Sequence, residues 1–133
     1  MKTSIATRDL GLDAELDQLD GGYIRVYSGA QEAHPEDAIA GGQVLLAELR
    51  FGNPAFNAAA GGAKAVNPVT GDSSANAAGI AGWFRALKSD GTTVVHQGSV
   101  GTSGTDMVIN STQIRVNADV EVLSYGVTRP EGT

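Results

Sequence analysis

Two β-prone runs meet across an Asp-Gly pair, and this constrains the fold more than any other feature of the chain. Trp83-Phe84-Arg85-Ala86-Leu87 leads into Lys88-Ser89-Asp90-Gly91, and Thr92-Thr93-Val94-Val95-His96 follows. Asp-Gly readily adopts the positive φ that tight hairpins need, so the spacing predicts that Ile80 to Leu87 pairs with Thr92 to Gln97. The β signal continues through Met107 to Ile109, Gln113 to Val116 and Val120 to Thr128, separated by Asn110-Ser111 and Asn117-Ala118-Asp119. No ten-residue helical period falls between these runs. The pattern predicts a mainly β fold, an antiparallel β-sandwich or jelly roll.

Upstream, Leu10, Leu12, Leu16 and Leu19 fall near helical spacing, with Asp9 or Asp13 placed to favour the start and Gly21-Gly22 to stop it. Asp13, Glu15, Asp17 and Asp20 occupy the other face. The period then changes to two: Tyr23-Ile24-Arg25-Val26-Tyr27 reads as a strand ended by Ser28-Gly29, with Ile24 and Val26 on one face. Ala30 to Gly42 reads as a surface loop, because Pro35 imposes extended geometry on His34. Val44 to Phe51 is assigned as a strand, since Gly41-Gly42 and Gly52-Asn53-Pro54 bound it tightly. This divides the chain into an N-terminal arm and short helix, 1–22, and a single β-sandwich domain, 23–133.

Between Pro54 and Ile80 the chain is nearly all Ala, Gly, Asn, Ser and Thr. This excursion, 55–78, holds one weak strand signal, Ala63 to Val69, and one turn signal, Thr70 to Ser74. Small uncharged residues bury little apolar area at about 25 cal/mol per Å². They do let backbones approach closely, so the excursion is expected to be mobile in the free protein and ordered against a partner. The interface expected on these grounds comprises Leu10, Leu12 and Leu16 of the helix with Ala58, Ala59, Ala60, Ala75 and Ala77.

The net charge of −6 and the scatter of the basic residues argue against a nucleic-acid partner. With no cysteine there is no disulfide framework, which fits folding in a reducing cytoplasm. The N-terminal residues lack the apolar core of a signal peptide, and no apolar run is long enough to span a bilayer. No membrane partner is expected.

The search for chemistry yields no catalytic residues, no cofactor and no metal site, so no enzyme is expected. His34 and His96 lie far apart without a metal-type partner pattern, and each reads as an ordinary loop or strand residue. Gly101-Thr102-Ser103-Gly104 reads as a turn rather than a nucleophile elbow. Asp72 with Asp90, or Asp106 with Asp119, can meet to bind calcium, but turn aspartates usually bond their own backbone. Trp83 has two readings. It anchors the core or an interface, or it stacks on a sugar together with Tyr23 or Tyr125, as in carbohydrate-binding β-sandwich modules.

Four runs carry a family resemblance: Leu19-Asp20-Gly21-Gly22-Tyr23-Ile24-Arg25-Val26-Tyr27-Ser28-Gly29, Leu45 through Phe56, Trp83-Phe84-Arg85 through Val95, and Gly98 through Gly104. Together they resemble a family of small proteins encoded in the structural modules of tailed bacteriophages and prophages. Within virions, a small acidic cysteine-free β-sandwich most resembles the decoration or cement proteins of the outer capsid shell. The resemblance implies a virion location after synthesis in the host cytoplasm, with the major capsid protein and further copies of itself, as dimer or trimer, for partners. A neck, tail or fibre-associated component is the alternative it leaves open.

Overall fold

The computed structural model describes residues 4–39, 41–57 and 63–128. One helix, α1 (Ile5–Asp17), precedes eight strands: β1 (Tyr23–Ser28), β2 (Leu45–Arg50), β3 (Ala63–Ala65), β4 (Gly79–Leu87), β5 (Val94–Gly101), β6 (Met107–Ile109), β7 (Gln113–Ile114) and β8 (Val122–Thr128). The strands form a curled sheet in the order β2-β1-β4-β5-β6-β8-β3, with β7 paired to the start of β4. The chain is therefore mainly β, as expected, and the curl is consistent with a sandwich or jelly roll. The sheet is mixed rather than wholly antiparallel, because β5 and β6 run parallel, Val100 opposite Met107 and Gly101 opposite Val108. The short loop between them, Thr102 to Asp106, is held by Asp106, whose Oδ2 accepts from Ser99 N at 3.0 Å while its own N–H donates to Ser99 Oγ at 3.1 Å.

The helix begins earlier than the aspartates suggested. Ser4 is the N-cap, its Oγ accepting from Thr7 N at 3.2 Å, so neither Asp9 nor Asp13 caps it. Leu12, Leu16 and Leu19 repeat at four and three residues, form one face and are fully buried in the same core as Ile24, Val26, Leu46 and Phe84. Leu10 falls off that face and is 70% exposed. Leu12 and Leu16 are thus core residues, a correction to their placement in an interface.

Strand register separates two faces. Val26 lies opposite Ala47 and Phe84, and Ile24 opposite Leu49 and Ala86, so these side chains share the core face. Tyr23, Arg25 and Tyr27, with their neighbours Arg50, Glu48, Arg85 and Trp83, lie on the outer face. Arg25 Nε donates to Glu48 Oε2 at 2.8 Å across β1 and β2. The expected hairpin joins β4 to β5: Gly91 has φ +73°, Gly91 N donates to Lys88 O, and Lys88 N to Thr93 O.

The Ala/Gly-rich excursion is a built part of this fold wherever it is described. Thr70 exchanges both backbone hydrogen bonds with Arg50, at 2.9 and 3.1 Å; Asp72 Oδ2 accepts from Glu48 N at 3.0 Å; and Asn76 N donates to Leu46 O at 2.8 Å. Every second residue of β2 is thereby satisfied on the side away from β1. On its far side the same segment pairs Asp72 with Val120, while Ala75 bonds Asn117 and Ala118. A Cβ at Gly71 would lie 2.6 Å from Val120 O, so close approach explains the small residues. The backbones that approach belong to one chain, so the described small residues are accounted for without a partner. Ala75 is buried in the core and Ala77 packs partly against it, whereas Ala58, Ala59 and Ala60 lie outside the described residues.

Candidate functional site

Trp83 is set on the outer face of β4 opposite Tyr27, with which it stacks at a centroid distance of 4.8 Å. Its Nε1 donates to Ser28 O at 3.1 Å, and the Arg85 guanidinium lies 5.1 Å from its ring. The loop after β1 folds over this group: Arg85 reaches His34 O, and Gln97 Nε2 donates to Glu32 O. Trp83 is fully covered, so it anchors the fold and presents no face to a sugar. Tyr125 is also buried, on the core side, and Tyr23 lies elsewhere under Arg50 at 4.4 Å. Burial closes Trp83 and Tyr125 to a glycan, which corrects those two contact residues of the carbohydrate reading, while Tyr23 is partly exposed.

Three of the four aspartates considered for calcium accept from backbone N–H groups. Asp72 accepts from Glu48 N and Ser74 N, Asp90 from Thr92 N and Thr93 N, and Asp106 from Ser99 N. Asp72 shares a cleft with Asp119 and Glu121 rather than with Asp90. Among the described residues, no three His, Asp or Glu side chains converge as a metal site requires. No described helix is long and apolar enough to cross a membrane.

One cluster of titratable groups escaped the sequence reading. Alternation along β5 turns His96 and Gly98 to the core face, where His96 Nε2 bonds the Tyr125 hydroxyl. Phe84 packs edge-on against both rings. Burial first, and then the carboxylates of Glu15 and Asp106, push the Tyr125 hydroxyl well above its ordinary pKa, so the phenol stays protonated. These groups, with Gln97, Gly126 and Val127, line a cavity of about 250 Å³ open to solvent. The only signal in the sequence was His96 at an alternating position. Its partner lies 29 residues on, beyond the reach of local patterning.

A second feature is apolar. Val44, Ile80 and Val116 are 45%, 64% and 57% exposed. Ser28 N donates to Val44 O, Ser28 lies opposite Ala81, and Ile80 lies opposite Gln113 of β7. Val44 and Ile80 therefore lie where β1 ends and β2 and β4 begin, and Val116 follows β7, which pairs with the start of β4. Asn76, Ala77, Ala78 and Gln113 neighbour them along the chain or across the β4–β7 pair, and the exposed Arg115 stands next to Val116. Comparisons of the chain with protein-family models, with curated proteins and with solved structures found no match.

Proposed function

We propose that this chain is a structural component of a tailed-phage virion, a decoration or cement protein that binds the outer capsid shell and stabilises it. The observation that carries the reading is the exposure of the apolar side chains Val44, Ile80 and Val116 on segments next to the start of β4. Exposed apolar side chains on neighbouring segments suit a protein contact. Each of these side chains contributes up to about 1.5–3 kcal/mol when fully buried. The four runs that resemble phage structural proteins support the same reading, because they fold into the adjacent strands β2-β1-β4-β5 and the loop that follows.

Particles assembled without the protein should form, yet lose integrity at lower temperature or under osmotic shock. Particles equally robust without it would reject the cement role and favour a neck, tail or fibre position. An Ile80→Glu variant should fold with a near-native melting temperature and fail to decorate the particle.

A further inference from the structure

The cavity beside His96 is a break in the sheet one strand wide. Met107 sits between Val100 of β5 and Tyr125 of β8, so β6 holds those strands two spacings apart, about 9.6 Å. β6 begins at Met107, and the chain before it turns away through Asp106. Beyond that point Val94 to Gly98 of β5 and Gly126 to Val127 of β8 continue, with the cavity between them. The His96 to Tyr125 hydrogen bond crosses the gap at its base.

The β5 side of the gap offers backbone. Ser99 N donates to Asp106, so the Trp83 and Ser99 pair is one whose N–H and C=O groups point away from each other. Two residues back, Gln97 has the same parity. Its backbone N–H and C=O face the gap, and no backbone partner meets them among the described residues. Glu15 and Asp106 line the same space with carboxylates, while Phe84, Tyr125 and Val127 supply apolar walls.

We infer that this gap binds a short extended peptide segment of another protein, added as a strand collinear with β6 and carrying a lysine or arginine toward Asp106. Strand addition uses the backbone N–H and C=O of Gln97 for main-chain hydrogen bonds, and the Asp106 carboxylate selects a basic side chain. The inference is independent of the virion reading, because it concerns the opposite side of the sheet path from the Val44, Ile80 and Val116 end.

The test is a titration of the isotope-labelled full chain with a synthetic Val-Lys-Val-Lys-Val peptide blocked at both ends, followed by amide chemical shifts. Saturable shifts centred on Gln97, Gly126 and Val127 are expected, and weaker binding of the Val-Glu-Val-Glu-Val counterpart. Gln97→Pro removes the N–H that faces the gap, along with the side-chain bonds to Arg85 and to Glu32 O, without removing a backbone bond to β4, and should weaken binding about tenfold. Asp106→Asn should weaken the lysine peptide and abolish its preference over the glutamate peptide, a comparison that holds if the proline variant does not fold. Absence of shifts at millimolar peptide, or undiminished affinity in both variants, would overturn the inference. Identical shifts from methylammonium alone would also overturn it, assigning the cavity to small cations.

Discussion

At the scale of single residues, conformation and hydrogen bonding decide more than bulk. Gly91 adopts φ +73°, and a Cβ there would meet nothing closer than 3.6 Å, so the demand for glycine is one of backbone conformation. Gly91→Val should lower stability by about 1 kcal/mol or more, read as a reduced melting temperature. Next to it, Asp90 accepts from Thr93 Oγ1 at 2.6 Å and from the N–H groups of Thr93 and Thr92 at 2.9 Å, which together hold its carboxyl well below the usual range. A depressed folded-state pKa contributes stability above the unfolded value, about 3.9, and that contribution is lost as pH falls through the folded value. Acidification below about pH 4 should therefore destabilise the hairpin, and Asp90→Ala should melt lower at pH 7 with a smaller loss on acidification. If the acid limbs of the two proteins superimpose, the loop is held by something else.

At the scale of elements, α1 and the excursion both serve the interior. Leu16→Ala should cost about 2–5 kcal/mol, because Leu16 is fully buried among strand side chains. Ala75→Glu should disrupt folding, since it places a carboxylate in the core beside the edge of β2, whereas arginine at Ala77, only partly buried against that core, should lower the melting temperature much less. Urea unfolding of the two variants side by side separates these outcomes. The strands were legible in the sequence because alternation and turn chemistry are local: β1, β2 and the β4–β5 hairpin lie where periodicity and Asp-Gly put them. What stayed illegible depends on long-range neighbours. Thr70 and Asp72 look like turn residues until Arg50, Glu48 and Val120 stand beside them, and only then does the small-residue tract become the cover of a sheet edge. The same holds for His96, which is unremarkable along β5 until Tyr125 returns on β8.

At the scale of the whole molecule, the account places two kinds of surface on one sheet. One edge is sealed by the chain's own Ala/Gly-rich segment, and the proposed contact with a larger assembly uses the exposed apolar residues around Ile80. Hydrogen exchange on the free protein and on protein bound to particles tests both halves together. The amides of Arg50, Thr70, Asp72, Asn76 and Val120 should already exchange slowly in the free protein and change little on binding, while added protection should appear from Gly79 to Ala81 and from Gln113 to Val116. Rapid exchange at Thr70, Asp72 and Asn76 in the free protein, with protection gained only on the particle, would contradict the account and return that segment to the role of a docking arm.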